Sequence, residues 1–285
     1  MKNLVYAMDT YFYSSIGAYE FDVRCEMLKE LGYDATYLTA WSDVAWGDVP
    51  KLAEVRARHG LDVAAVYVTY DLSLSPSDEP NARILKLVET VQSTHAVEVA
   101  LRFSDAGAVK SSDPAGDPAA IAALERLLLA AERNPKLQLL LYPHWHFWLE
   151  RIEDAVRLAG KLNHPQLGVI FCGFHWYAVD GERIQQRLTE ARPFLRAVNL
   201  CGARRYPGKP DGVPASIEPL DSGEMDNFAV LGMLNRMEFS GPIGFQGYSI
   251  GGDAYANLKR SLAAYREMVA RLQAHPSWAS LRFDA

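Results

Sequence analysis

The chain has 285 residues, 49% apolar and 22% charged, enough to build one barrel-sized core, which excludes disordered and fibrous classes. Its formal net charge is −6, from 29 Lys and Arg against 35 Asp and Glu, with no dense basic run, so a nucleic-acid backbone would be repelled. Cys25, Cys172 and Cys201 are too scattered for a disulfide framework, no window approaches the roughly 18 apolar residues of a membrane helix, and Met1–Ala7 lacks a leader's apolar stretch, so a soluble, cytoplasmic protein is expected.

In chain order, short β-rich runs alternate with longer segments of three- and four-residue apolar spacing, the pattern of stacked β-α units. Leu4–Thr10 is the first strand candidate. It leads to a helix in which Phe21, Leu28 and Leu31 share a face and Gly32 stops the last turn. Ala35–Ala40 precedes a helix over Val49–His59, closed by Gly60. Val63–Thr69 precedes Pro80–Gln92, and Val97–Phe103 precedes Pro118–Arg133, each opened by a proline at a tolerated position. Leu137–Tyr142 leads to Ile152–Leu162, and Gly168–Phe171 leads to Gly181–Ala191, for which Asp180 is the expected cap. Ala197–Cys201 leads to Asp226–Met237, and Ile243–Tyr248 to Ala254–Leu272.

These units predict a single α/β domain over residues 1–285, a (β/α)₈ TIM barrel, a fold of about 250 residues. The alternative, a doubly wound open sheet, usually carries a glycine-rich loop after its first strand, and Asp9-Thr10-Tyr11-Phe12-Tyr13 is nothing of that kind. Ser104–Asp117 and Gly202–Gly223 read as long loops after strands, where a barrel places its functional loops.

Polar residues concentrate at the ends of the last four strands. The fifth ends Tyr142-Pro143-His144-Trp145-His146, and alternation puts Tyr142 and His144 on one side. The sixth ends Phe171-Cys172-Gly173-Phe174-His175-Trp176. Asn199 lies on the seventh, followed by Arg204 and Arg205, and Gln246 lies on the eighth. From Leu137 to Met268 the chain resembles the xylose isomerase-like barrels of the sugar phosphate isomerase/epimerase family. That family's Leu-x-Leu-Glu-x-His appears as Leu139-Leu140-Leu141-Tyr142-Pro143-His144, and its Phe-Asp-x-x-His as Phe171-Cys172-Gly173-Phe174-His175. Asn199 stands for a histidine and Gln246 for the last glutamate, so all four metal ligands implied by the resemblance are changed.

The resemblance implies chemistry on a sugar, but Tyr142, Cys172, Asn199 and Gln246 offer no carboxylate to a hard divalent ion, so no metal is expected. The principal reading is a sugar, sugar-phosphate or polyol isomerase or epimerase with no cofactor. His144 or His175 would carry the proton, Tyr142 and Cys172 complete the catalytic set, and Asn199, Gln246, Arg204, Trp41, Trp176 and His146 bind substrate. Arg204, Arg205 and Lys209 could hold a phosphate or carboxylate, or form a solvated basic loop balanced by Asp211 and Glu218, while Asp221 and Glu224 are local candidates for a surviving acid or base. The alternatives are a carbohydrate-binding pseudoenzyme without chemistry, and a zinc-dependent hydrolase or lyase using His144, Cys172 and His175. The expected partner is a small molecule, with neither nucleic acid nor membrane. The tail His275–Ala285 could pack on its own barrel or serve a homo-oligomer.

Overall fold

A computed structural model describes residues 2–105, 109–206 and 212–282. Eight parallel strands close into a barrel: β1 (Val5–Ala7), β2 (Ala35–Thr39), β3 (Asp62–Asp71), β4 (Thr94–Arg102), β5 (Gln138–Leu141), β6 (Leu167–Cys172), β7 (Leu195–Leu200) and β8 (Ile243–Phe245). Closure comes from pairing of Val5 with Ile243 and Tyr6 with Gly244. All eight predicted strands are present, with shifted ends. The first and last are shorter than expected, because Asp9–Phe12 turns into a 3₁₀ helix and Gln246 onward leaves the ladder.

The strands divide the core in two. Val97, Val99 and Leu101 of β4, and their equivalents elsewhere, pack outward against the helices. The inward set is smaller or aromatic: Tyr6, Ala35, Tyr37, Ala65, Tyr67, Ala96, Ala100, Leu140, Ile170 and Ala197. Small residues make room for tyrosines. At Gly244 an added Cβ would overlap both the Tyr6 ring and Asn199 Oδ1, so the bare backbone there is a packing requirement.

The helices are α1 (Phe21–Leu31), α2 (Asp43–Asp48), α3 (Val55–His59), α4 (Asn81–Thr90), α5 (Asp117–Ala131), α6 (Ile152–Leu162), α7 (Gly173–Val179), α8 (Ile184–Ala191), α9 (Asn227–Arg236) and α10 (Ala254–Ala274). Three differ from expectation. Val49–His59 divides into a 3₁₀ segment (Val49–Glu54) and α3, with α2 ahead of it. Gly173–Val179 is helical, so His175 and Trp176 sit on a short helix rather than a loop. Asp180 does not cap α8, which starts after Arg183; its carboxylate instead pairs with Arg151 and Arg187. By contrast, Asp226 does cap α9, accepting from Ala229 N–H at 3.0 Å.

The loop after β7 folds back on itself through bridges Gly202–Glu218 and Arg205–Ala215, bringing residues 213–217 over the barrel mouth. The tail packs on its own chain as far as Ala279, whose carbonyl accepts from Arg236, while Trp278 stacks on His275. Phe283 and the last residues lie outside the described residues, as do Lys209 and Asp211. Among the described residues no helix is long and apolar enough to cross a membrane.

Candidate active site

At the C-terminal ends of the strands lies a cavity of about 540 Å³, the end of the barrel where this fold builds its sites. Its lining includes Tyr142, His144 and His175, with Gln246 from the end of β8 and Trp41 after β2. Trp41 is 47% exposed and packs against Tyr13 and Tyr248, forming an aromatic rim. The other aromatic side chains near the strand ends divide: Tyr67 and Trp145 face the cavity, whereas Tyr11, Tyr70 and Trp148 belong to the outer core.

The segment after β5 is fastened to β4 at both ends, Tyr142 N–H donating to Val99 and Leu149 N–H to Leu101. Between those points the chain turns, with His146 at φ 71°. That turn presents His144 to the cavity. Its ring stacks on Phe147, centroids 4.1 Å apart, and lies 4.1 Å from the ring of His175 on α7. Trp145 fixes both imidazoles. Its carbonyl can only accept, so His144 Nδ1, at 2.7 Å, carries the proton; its N–H can only donate, so His175 Nδ1, at 3.1 Å, does not. His144 therefore keeps a lone pair on Nε2, and His175 keeps its N–H there. Burial is the main cause that lowers both pKa values, His144 to about 4 and His175 well below 6.5, with His146 further disfavouring charge on His144 and His144 on His175. Both rings are neutral at neutral pH.

Beneath the histidines, three of the four residues at the expected ligand positions join directly. Tyr142 OH donates to Cys172 Sγ at 3.4 Å, and the Cys172 thiol donates to Gln246 Oε1 at 3.2 Å. Burial pushes the Tyr142 phenol well above 10 and the Cys172 thiol up to about 11, so both stay protonated. Asn199 lies deeper, accepting from Tyr6 OH at 2.6 Å. This donor set does not fit a hard divalent ion, which calls for anionic oxygen. Among the described residues no three His, Cys, Asp or Glu side chains form a set able to hold a metal, which includes His144, Cys172 and His175.

Cys172 and Asn199 lie beneath the cavity rather than on its lining, and three further sequence candidates stand away from it. Arg204 pairs with Glu218 and Glu224 at 3.5 and 3.6 Å, the Trp176 indole donates to the Glu182 carbonyl, and His146 is exposed on its turn. Asp221 binds Arg260, and Glu224 accepts from Tyr177 OH, so neither reaches the cavity as a free acid.

Two residues were missed by sequence reasoning, both on β4. Glu98 is completely buried; Tyr37 OH donates to its Oε2, while Oε1 has no partner, and burial raises its carboxyl to about 8. Arg102 lines the cavity, with Nε donating to Asp71 at 3.2 Å. The available signal was parity: Ala96, Glu98, Ala100 and Arg102 alternate along one strand face, so a carboxylate and a guanidinium had to share the interior.

A closed parallel barrel with a polar cleft at its strand ends places the molecule in the TIM-barrel class. The chain belongs to the xylose isomerase-like TIM barrel family, whose profile matches residues 25–273. It is similar in structure to L-ribulose 3-epimerase, at 15% identity and a TM-score of 0.74, with 100% of each chain covered. It is also similar to 3-keto-D-glucoside 4-epimerase YcjR from E. coli, at 16% identity and a TM-score of 0.72, covering 93% of this chain and 100% of that one. A third neighbour, an IOLI protein with a bound zinc atom, shares 16% identity at a TM-score of 0.74, covering 95% and 99%. No curated protein matches the sequence.

Proposed function

We propose that the protein isomerises or epimerises a sugar or sugar-derived carbonyl compound by direct proton transfer, without a divalent metal. One observation carries this reading: two neutral imidazoles in opposite tautomers, ring centroids 4.1 Å apart, on the wall of the strand-end cavity. Family membership supports the substrate class, as do structural neighbours that are epimerases of L-ribulose and a 3-keto-D-glucoside.

His144 Nε2 takes the proton from the carbon beside the carbonyl, and the C–H electron pair moves into the enolate. His175 Nε2–H hydrogen-bonds to the carbonyl oxygen as charge develops there, remaining an imidazole throughout. A neutral imidazole is the better-matched donor for this task, because it polarises the oxygen without placing a cation beside the base. Gln246 assists. Its Oε1 is occupied by Cys172, which leaves the amide N–H groups, unpartnered among the described residues, for a substrate oxygen. In isomerisation His144 Nε2–H returns the proton to the neighbouring carbon on the same face, the hydroxyl proton passing between the two oxygens; in epimerisation the bound enolate turns its other face to His144 before the proton returns to the same carbon.

The test is wash-in of solvent deuterium, followed by NMR, across a panel of aldoses, ketoses and sugar acids. Exchange at a carbon beside a carbonyl is expected, lost in His144→Gln with the fold retained, and unaffected by exhaustive chelation. Ligands that stabilise the protein while no carbon exchanges would overturn catalysis in favour of a carbohydrate-binding protein.

A further inference from the structure

Among the described residues lining the cavity, Arg102 is the only one with a charged side chain: no Asp or Glu is present, and both histidines are neutral. The position follows from the strand. β4 pairs with β3 so that Arg102 lies opposite Asp71 and Ala100 opposite Thr69. Asp71 is itself buried and oriented by two backbone N–H groups, those of Ser73 at 3.0 Å and Ser104 at 3.2 Å, so its remaining oxygen holds Arg102 by Nε alone. Neither terminal nitrogen of the guanidinium has a hydrogen-bond partner among the described residues, and the side chain is 44% exposed. A guanidinium anchored on one edge and open on the other is prepared to receive a planar anion through two parallel N–H bonds.

We infer that the substrate is a sugar acid whose carboxylate sits on Arg102. This rests on the proposed function and names its substrate class. The neighbouring groups suit the rest of such a molecule. Thr69 and Tyr67 share the inward face of β3, their hydroxyls 3.3 Å apart, and the Tyr67 ring lies 6.5 Å from that of His144. From Arg102 to the histidines the wall therefore offers a guanidinium, two hydroxyls and then the proton-transfer pair, in the order of a carboxylate, hydroxylated carbons and a carbonyl. A single fork suits a monoanion better than a phosphate dianion, which calls for further cations. The other arginines near the mouth are engaged: Arg204 with Glu218 and Glu224, and Arg205 with the Asp180 carbonyl and the Tyr177 ring.

The experiment compares matched pairs by calorimetry and thermal shift on the full chain: five- and six-carbon aldonates and uronates against the polyols and aldoses of the same stereochemistry, with the corresponding sugar phosphates alongside. At least one acid is expected to bind about tenfold or more tightly than its neutral counterpart. Arg102→Gln, which can still donate to Asp71, is expected to erase that preference, and Arg102→Lys to retain part of it. Equal binding of acid and neutral partner overturns the assignment, as does a preference that survives in Arg102→Gln, tight binding of phosphates alone, or no response to any acid. Should the glutamine variant fail to fold, the wild-type pairs still decide. Because binding is read separately from deuterium exchange, loss of the carboxylate preference leaves the proton-transfer reading standing, and loss of exchange leaves the carboxylate site standing.

Discussion

Replacing Glu98 with glutamine interrogates the floor of the barrel. The carboxyl is fully buried, receives one hydrogen bond from Tyr37 and has an unpartnered Oε1, and burial lifts it from 4.5 to about 8. The folded value exceeds the unfolded one, so the native state holds the proton more tightly. Its contribution to stability is complete below the unfolded value and is lost as pH rises through about 8. Between about pH 5 and 7.5 this group alone lowers stability by ~3 kcal/mol, on the order of 1 kcal/mol per pH unit.

Glutamine cannot ionise, so the variant lacks that slope. Its amide oxygen can keep the Tyr37 bond while its NH₂ takes the place of the unpartnered oxygen, at a cost of ~1–3 kcal/mol if that NH₂ finds no acceptor. Absolute stability at one pH therefore mixes two effects of similar size; the difference in slope does not. Urea denaturation of both proteins across that pH range is the assay, and other titrating groups cancel between them. The stability gap should move in favour of the variant as pH rises, by ~3 kcal/mol over the range. Parallel curves would refute the claim that Glu98 is held as a neutral acid.

Two further outcomes are expected. With His144 lowered to about 4, kcat/KM should fall on the acid side near pH 4 rather than near 6.5, because only the neutral ring accepts a proton; an acid limb at 6.5 would remove His144 as the base. Gly244→Ala places a methyl group against Tyr6 and Asn199 and should cost ~1–3 kcal/mol, read as a lower melting temperature without a change in secondary structure.

How legible this molecule is from its sequence differs between core and site. The outward strand residues follow a period of two and the helices a period of 3.6, so all eight strands and the closed barrel could be read directly. The site was harder. Tyr142, His144, His175 and Gln246 line the cavity at or just after strand ends, as their order in the sequence suggests, but Trp176 and His146 beside them do not: α7 and the turn at His146 place those side chains off the lining, and neither feature leaves a periodic trace. Arg204 stands off the cavity lining for another reason. Its neighbours Glu218 and Glu224 are brought to it by the fold of the loop after β7. Glu98 and Arg102 lie outside the region where polar residues are dense, and only inward parity on a single strand places both in the interior.

The four changed positions are best understood together. An anionic residue at 142 or 246 is tolerable in a buried cleft only when a cation neutralises it, since an isolated carboxylate there would carry a heavy desolvation cost. With neutral side chains the cost disappears, and a directional chain forms in which Tyr142 donates to Cys172 and Cys172 to Gln246. The direction is set by chemistry, because Gln246 Oε1 can only accept, which obliges the thiol to donate and in turn to accept the phenol's hydrogen bond. The same neutrality explains the histidines. No carboxylate lines the cavity beside them, burial is the main cause that lowers their pKa values, and Trp145 determines which nitrogen of each is free. A glutamate carboxylate at 142 would remove the donor to Cys172, so the neutral arrangement is held in place by the mutual dependence of its parts.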